Sequence, residues 1–134
     1  MIKINSICII DDDPITVFGM RRMLDTLVTY NTINTFENGK QAIDGIKAMM
    51  LAGKEIPEVI FLDINMPIMD GWQFLKEFIA LPIKDKVRIN IITSSIDSTD
   101  AHNWKLYKDK THHTVTYNHK PIRKQEIAEI TKVA

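Results

Sequence analysis

The stretch VIFLDINMPIMDG, residues 59–71, decides the fold that we predict for this chain. Its first half is a dense apolar run, which is typical of a strand buried on both faces of a parallel sheet. We therefore predict a strand over residues 58–63 that brings one carboxylate, Asp63, to its C-terminal end. A turn-rich loop follows, in which Pro67 lacks a backbone donor and Gly71 permits conformations that other residues avoid. The stretch indicates either a functional acid at a strand end or a carboxylate that only caps a loop.

Length and composition indicate one domain. The chain has 134 residues, of which 45% are hydrophobic, and no Pro-, Gly- or Ser-rich stretch divides it. We expect a single domain over residues 1–134, with no linker and no output domain. The 17 basic and 17 acidic side chains leave a net charge of zero. Nothing therefore attracts the whole protein to nucleic acid or to a membrane surface, and we expect neither as a direct partner.

The single cysteine, Cys8, lies in an apolar run, where we expect it to be a small buried side chain. One thiol cannot form an internal disulfide, which suits a reducing compartment. No apolar run has the length of a signal-peptide core or of a membrane span. These features predict a cytoplasmic protein.

Strand-like and helix-like segments alternate along the chain. The segments that we predict as strands are residues 3–10, 31–36, 58–63, 87–93 and 114–119. Each is followed by a segment with helical apolar spacing. Five strands alternating with five helices predict an α/β fold, namely a doubly wound, five-stranded parallel sheet of the flavodoxin-like (βα)5 type.

Strand composition indicates the order of the sheet. The strands that end at Ile10, Leu62 and Ile92 are rich in Ile and Val, as central strands are. Residues 31–36 and 114–119 carry polar side chains on both faces of the strand, which favours the two edge positions of the sheet for these strands. The order 2-1-3-4-5 follows, although composition alone leaves other permutations open.

Local signals place the helices. Asp13 predicts the N-cap of the first helix, and Pro14 fits its first position, where the missing N–H costs nothing. Ser98 predicts the N-cap of the fourth helix. The first helix, which ends near Val28, is predicted to have an apolar face formed by Ile15, Phe18, Leu24 and Leu27. The last helix follows Lys120 and Pro121, and its predicted apolar face comprises Ile122, Ile127, Ile130 and Val133.

Acidic side chains are predicted to meet at one edge of the sheet. In this strand order, ligands bind beyond the carboxyl ends of strands one and three, which brings Asp11 and Asp12 close to Asp63. Three neighbouring carboxylates repel one another unless a cation lies between them. Carboxylate and carbonyl oxygens are the ligands that Mg²⁺ prefers. The sequence therefore predicts a magnesium site.

The histidines do not compete as metal ligands, because His102, His112, His113 and His119 lack metal-ligand spacing. We expect solvated or edge positions for all of them.

Two further groups complete a predicted phosphoryl pocket. Thr93 ends the fourth strand and Lys120 follows the fifth, so a hydroxyl and an ammonium join the acids at the same edge. Mg²⁺ and Lys120 would neutralise phosphate oxygens, Thr93 would donate a hydrogen bond, and one carboxylate would act as the nucleophile. Two simpler readings stay open: Lys120 as a solvated strand-end lysine, and Ser94 in place of Thr93 if the register shifts by one.

With these residues, the chain resembles the receiver, or response-regulator, domain of bacterial two-component signalling, a family that includes the chemotaxis regulators. The resemblance extends over nearly the whole chain. Four separated segments carry it: IIDDDP with Asp11 and Asp12, LDINMPIMDG, IITSS with Thr93, and the Lys120-Pro121 pair. Each motif is weak alone, and the ordered set is specific.

The resemblance implies a role for each of these residues. Asp63 would be the phosphorylated aspartate, with Asp11, Asp12, Asp63 and the main-chain oxygen of Asn65 as magnesium ligands. Thr93 would be the switch hydroxyl and Lys120 the phosphate-pairing lysine. Tyr117 would change rotamer on activation, although its spacing fits edge-strand packing equally well. Asn65 and Ser95 would influence the lifetime of the phosphorylated form. Asp13 remains a helix cap.

The resemblance also implies partners and excludes most enzyme classes. The donor would be a sensor histidine kinase or a histidine phosphotransfer protein, and the reader would be a downstream protein that binds the surface of helix four, strand five and helix five. We expect a monomer or a phosphorylation-dependent dimer, with slow acyl-phosphate hydrolysis as the only reaction beyond self-phosphorylation. One alternative is a pseudo-receiver that binds proteins without phosphorylation. A haloacid-dehalogenase-like phosphatase is less favoured, because its second aspartate is replaced here by Asn65.

Overall fold

The computed structural model describes residues 2–131, in which five strands alternate with five helices. In chain order these are β1 (Ile2–Ile10), α1 (Pro14–Leu27), β2 (Val28–Phe36), α2 (Gly39–Leu51), β3 (Val59–Leu62), α3 (Gly71–Ile79), β4 (Arg88–Thr93), α4 (Ser98–Lys108), β5 (Thr114–His119) and α5 (Lys124–Ile130). All strand pairs are parallel, and the sheet order is β2-β1-β3-β4-β5. The predicted fold and strand order are confirmed.

The central strands are apolar on both sides because helices cover both faces of the sheet. In β1, the side chains of Ile7 and Ile9 lie on the face of the sheet that α1 and α5 cover. Those of Cys8 and Ile10 lie on the face that α2 and α3 cover. All four side chains are fully buried. Cys8 is a core residue, as predicted, and burial raises the pKa of its thiol.

The helices on the second face are attached very differently. In α3, Phe74, Leu75 and Phe78 have no exposed surface, and burial of each such side chain stabilises the fold by about 1.5–3 kcal/mol. In α4, no residue is buried, and Trp104 and Tyr107 pack only partly against the core. The sheet therefore holds α3 firmly and α4 weakly.

Helix α1 passes directly into β2. The predicted second strand began at residue 31, but β2 begins at Val28, which is also the C-cap of α1. The added residues pair in register with β1, from Ile2 opposite Val28 to Ile4 opposite Tyr30. Pairing with a neighbouring strand thus starts three residues earlier than the local pattern indicates.

The predicted apolar face of α1 is only partly correct. Leu24 is buried and Leu27 packs against the core, but Ile15 is 80% exposed and Phe18 is 61% exposed. Met20 is buried instead. Because successive helical residues are about 100° apart, Met20 and Leu24 share one face while Ile15 and Phe18 lie on another. The helix therefore presents a second apolar stripe to solvent.

The helix starts were predicted with mixed success. Asp13 is the N-cap of α1, where it accepts hydrogen bonds from the Ile15 N–H and the Thr16 hydroxyl. The prediction of Ser98 as an N-cap is wrong, because Asp97 accepts the Thr99 N–H at 2.9 Å and Ser98 is the first helical residue.

The last helix begins later than its apolar spacing suggests. Ile122 precedes α5, which starts at Lys124, although Ile122 still packs against the core. Ile127 is fully buried, as expected for the apolar face. The predicted contributions of the Ile130 side chain and of Val133 lie outside the part of the chain that the structure describes.

Within residues 2–131, no helix combines the length and the apolar character that crossing a lipid bilayer requires.

Candidate functional site

Two acids follow neighbouring central strands and face the same edge of the sheet. Asp11 comes directly after β1. Asp63 comes directly after β3, which ends at Leu62. The prediction had Asp63 as the last residue of the strand. Backbone hydrogen bonds fix both positions: the Asp11 N–H donates to the Phe36 carbonyl, and the Asp63 N–H donates to the Ile10 carbonyl. Both acids are nearly buried, at 5% and 6% exposure. The sheet thus holds two carboxylates in a largely desolvated place.

Asp12 joins these acids from the exposed side. One carboxylate oxygen from each of Asp11, Asp12 and Asp63 lies within 4.8 Å of the others, close enough to share one cation. A ligand set made of oxygen atoms suits Mg²⁺ rather than zinc or copper. The three acids predicted to bind a metal are therefore together. Asn65, the fourth predicted ligand, is exposed in the loop after Asp63.

Lys120, which follows the edge strand β5, joins the same cluster. Its backbone N–H donates to the Thr93 carbonyl at 2.9 Å. Its Nζ lies 3.1 Å from Asp11 Oδ2 and 3.5 Å from Asp63 Oδ1. Partial burial alone would lower the Lys120 pKa, but the two carboxylates outweigh that effect and raise it. Lys120 is therefore a charged partner of the acids, and the simpler reading of it as a solvated lysine is wrong.

Asp63 has an unusual environment for a carboxylate. Burial is the main factor that raises its pKa to about 6, and the charge of Asp11 adds to the effect. The ammonium of Lys120 opposes this increase, as does the Ile64 N–H, which donates to Asp63 Oδ1 at 3.0 Å. Desolvation thus favours the protonated acid, and a bound cation would favour the ionised one.

Gly71 brings the start of α3 against the peptide of Asp63. A Cβ atom at Gly71 would lie 2.4 Å from the Asp63 carbonyl oxygen and 2.8 Å from Ile64 Cα. The Gly71 N–H donates to the Ile64 carbonyl at 2.9 Å. The predicted reason for this glycine is wrong, since the left-handed position in this loop is Ile68, at φ 70°. Gly71 is needed for close approach and not for backbone freedom.

Thr93 is the last residue of β4 and is fully buried, whereas Ser94 is exposed. The Thr93 hydroxyl oxygen accepts a hydrogen bond from the Ser95 N–H at 3.0 Å. The Ser95 hydroxyl donates in turn to Asp100 Oδ2 at 2.6 Å. The buried hydroxyl at the end of β4 therefore belongs to Thr93 and not to Ser94, and hydrogen bonds connect the loop after it to α4.

Tyr117 lies on the edge strand β5 and is half-buried. Its ring stacks on Trp104 of α4, with centroids 5.7 Å apart, and meets the edge of the His119 ring at 5.2 Å. Burial, together with the nearby charges of Asp100 and Asp97, raises its pKa. Tyr117 thus connects the edge strand with α4.

One histidine differs from the prediction. His102, His112 and His119 are exposed, but His113 is only 4% exposed. Its Nδ1 accepts the Val87 N–H at 2.9 Å. Burial, with a contribution from His112, lowers the pKa of His113 to about 4. His113 is a neutral, buried structural residue just before β5, at the amino-terminal end of the strands.

Sequence reasoning missed the pair formed by Trp72 and Asp100. The Trp72 indole N–H donates to Asp100 Oδ1 at 2.8 Å, across a separation of 28 residues. No local spacing signals such a contact, because the packing of α3 beside α4 determines it.

Comparisons with known proteins agree with this geometry. The sequence profile of the response regulator receiver domain matches residues 7–132. A two component response regulator from Cytophaga hutchinsonii, known from a crystal structure, is 27% identical and superposes with a TM-score of 0.79. The superposition covers 96% of this chain and 94% of that one.

Curated relatives share only part of their length with the chain. Sporulation initiation phosphotransferase F of Bacillus subtilis is 32% identical over 88 residues, which cover 66% of this chain and 63% of that protein. A protein-glutamate methylesterase/protein-glutamine glutaminase of Methanospirillum hungatei is 31% identical over 94 residues, which cover 70% of this chain and 24% of that protein. The chain therefore spans less than two thirds of these relatives.

Proposed function

Because the chain belongs to the response regulator receiver domain family of two-component systems, we propose that it accepts a phosphoryl group on Asp63. One observation carries the proposal: a nearly buried carboxylate lies 3.5 Å from the Lys120 ammonium, beside two further acids that can share a cation with it. In this arrangement, positive charge would meet the oxygens of a phosphoryl group that Asp63 attacks.

The proposed reaction is a phosphoryl transfer from a phosphohistidine. A carboxylate oxygen of Asp63 attacks phosphorus, so that the new O–P bond forms as the P–N bond of the donor breaks. The donor imidazole keeps the electron pair of that bond and takes a proton from solvent. Lys120 pairs with a phosphoryl oxygen, and the Thr93 hydroxyl donates a hydrogen bond to another. These groups contribute mainly position and charge.

The proposed cofactor is Mg²⁺. The residues that would hold it are Asp11, Asp12, Asp63 and, through its main-chain oxygen, Asn65. When bound, the ion would neutralise charge on the phosphoryl oxygens and help to orient them. The oxygen-only ligand set supports this assignment, and so does the short spacing of the three carboxylates, whose mutual repulsion a cation would offset.

The proposed switch moves from the pocket to the surface of α4, β5 and α5. Attraction between the Thr93 hydroxyl and the phosphoryl group would draw in the loop that follows β4. Tyr117, which stacks on α4, would then change its rotamer. Phosphorylation would act by shifting the population between two arrangements, to the extent that its contacts differ between them. A downstream protein would read that surface.

The proposed donor is a sensor histidine kinase or a histidine phosphotransfer protein. A groove of about 420 Å³ lies beside Lys120, between α1 and the segment after β5, and Met20, Met23 and Ile122 line it. The exposed Ile15 and Phe18 belong to the same helix α1. Since the phosphohistidine must reach Asp63, its protein has to cover the adjoining surface, and these apolar groups favour a helix as the contact.

The proposed activity is signalling, with slow hydrolysis of the acyl phosphate as its only further chemistry. Asn65 and Ser95 lie in the loops that border the pocket, where an attacking water would enter. Substituting either by a bulkier or acidic residue should change the rate of dephosphorylation, and an unchanged decay would contradict this role.

Incubation with acetyl phosphate tests the proposal. We expect Mg²⁺-dependent incorporation of one acid-stable, hydroxylamine-sensitive phosphoryl group, measured by intact mass. The variant Asp63→Asn should keep the fold and lose the label. Asp44→Asn is the matched control, because it neutralises an exposed acid of α2 that pairs with Lys40. Label that persists on Asp63→Asn, or no label on the unmodified sequence, would refute the proposal.

A further inference from the structure

Trp72 is the residue of α3 that reaches α4 at two points. Its indole N–H donates to Asp100 Oδ1 at 2.8 Å, in the first turn of α4. Its ring stacks on Tyr107, with centroids 5.9 Å apart and planes 12° apart, near the other end of the same helix. One side chain thus contacts residues from the first and the last turn of α4.

The two helices that Trp72 connects are anchored unequally. Three side chains of α3 are completely buried, whereas no residue of α4 is buried. Contacts at the surface therefore contribute a large part of what holds α4 in place. When one of the two helices moves, it will be α4.

The contact with Trp72 continues to the edge of the pocket. Asp100 Oδ2 accepts the Ser95 hydroxyl at 2.6 Å, and the Ser95 N–H donates to the Thr93 hydroxyl oxygen at 3.0 Å. Four residues, Thr93, Ser95, Asp100 and Trp72, thus form a hydrogen-bonded chain from the end of β4 to α3. A second bond, from the Asp97 N–H to the Ser95 hydroxyl oxygen, keeps the loop attached to the helix start.

We propose that Trp72 is a latch, a positioning residue that holds α4 in the arrangement of the unphosphorylated protein and so opposes phosphorylation. This inference rests on the proposed function, in which Thr93 is drawn towards the phosphoryl group. A hydroxyl can donate to that group and still accept the Ser95 N–H, so Ser95 moves with Thr93. Ser95 in turn moves Asp100, whereas Trp72 stays with α3. The bond between Trp72 and Asp100 is therefore the one that breaks.

The first test follows the indole N–H of Trp72 by NMR. The chain has two tryptophans, and Trp72→Phe identifies the resonance. Beryllofluoride with Mg²⁺ serves as the probe, because it mimics a phosphoryl group on a carboxylate. We expect the Trp72 indole N–H to shift on binding, towards its position in unliganded Asp100→Ala, where the hydrogen bond is absent.

The second test measures the affinity for beryllofluoride. Trp72→Phe keeps a ring to stack on Tyr107 but loses the N–H, and it should bind about fivefold more tightly, the factor that one ordinary hydrogen bond represents. Asp100→Ala should bind at least as tightly, and Asp100→Asn, which keeps an acceptor for Trp72, should stay close to the unmodified sequence. Asp109→Ala removes the same charge from the other end of α4 and should change nothing.

The outcomes separate the latch from the phosphoacceptor proposal. If the unmodified sequence binds beryllofluoride and the Trp72 resonance does not move, the latch is refuted and Asp63 keeps its role. Equal or weaker binding by Trp72→Phe has the same meaning. No binding by the unmodified sequence overturns the proposed function and the latch with it. If Asp100→Ala does not fold, movement of the Trp72 resonance on binding still tests the latch, because assigning that resonance needs only Trp72→Phe, which retains a stacked ring.

Discussion

The Lys120 ammonium lies 3.1 Å from Asp11 Oδ2, which is closer than its 3.5 Å separation from Asp63 Oδ1. The lysine therefore pairs most directly with the acid whose charge raises the pKa of Asp63. It offsets the repulsion between the two carboxylates, and its ion pair with Asp63 is the longer of the two. In the proposed reaction, this leaves Lys120 close enough to transfer its pairing to an incoming phosphoryl group.

The first prediction concerns this lysine. Lys120→Met should slow labelling by acetyl phosphate by about 100-fold, because a positive charge aimed at the phosphoryl oxygens is lost. Lys120→Arg should recover part of the rate, since it restores the charge with a different geometry. Labelling is followed by intact mass against time. Lys124→Met, which removes an exposed lysine of α5, should leave the rate unchanged, and a comparable loss there would contradict a specific role for Lys120.

The second prediction concerns the exposed stripe of α1. Phe18→Ala should slow transfer from a phosphohistidine protein by about tenfold, the effect of losing one apolar anchor from an interface. Transfer from acetyl phosphate should not change, because the small donor does not contact α1. Leu51→Ala, at another highly exposed apolar position, is the control. A similar decrease with both donors would place the effect in the pocket and not in docking.

The third prediction concerns two glycines. Gly71→Ala should lower the free energy of unfolding by about 2 kcal/mol, because its Cβ would collide with backbone atoms of Asp63 and Ile64. Gly19→Ala, inside α1 with no atom within 4 Å of the added Cβ, should raise it by about 0.5–1 kcal/mol. Urea unfolding measures both. An increased free energy of unfolding for Gly71→Ala would contradict the prediction, because it would show that the backbone of Asp63 and Ile64 can move away from the added Cβ at little cost.

The fourth prediction concerns pH. His113 titrates near pH 6.5 in the unfolded chain, but burial lowers its pKa to about 4 in the folded one. Between these values the unfolded chain binds a proton that the folded chain does not. The stabilisation is therefore complete above pH 6.5 and falls as the pH drops towards 4, by at most about 3 kcal/mol.

The variant His113→Asn isolates this contribution. It keeps an acceptor for the Val87 N–H but cannot titrate, so its unfolding free energy should depend less on pH between 6.5 and 4 than that of the unmodified sequence. His102→Asn, at an exposed position of α4, should preserve the original slope. Parallel slopes for the sequence and for His113→Asn would show that His113 does not limit stability in acid.

Much of the fold is predictable because local and global signals agree. Dense apolar strands must be buried on both faces, and polar strands such as residues 114–119 fit only at an edge. The boundaries are less predictable, since β2 gains its first residues by pairing with β1. The orientation of α1 is also ambiguous, because Phe18 and Met20 belong to two apolar stripes and only contact with the sheet selects one.

The acidic cluster is predictable for a geometric reason. Parallel strands end at one edge of the sheet, so acids that follow β1 and β3 must meet whatever the surrounding sequence is. No such rule predicts the hydrogen-bond partners of Trp72 and His113. Each depends on tertiary packing: α3 lies beside α4, and the Val87 N–H needs an acceptor once it is buried.

The weak attachment of α4 to the core links the affinity for a downstream protein to the degree of phosphorylation. Because no residue of this helix is buried, shifting it disturbs little of the core and requires little free energy. A protein that binds the shifted helix would then favour the phosphorylated form at equilibrium by the same factor by which phosphorylation strengthens its own binding, since the two equilibria form one thermodynamic cycle. The fraction of the chain that carries a phosphoryl group would thus depend in part on the protein that reads it.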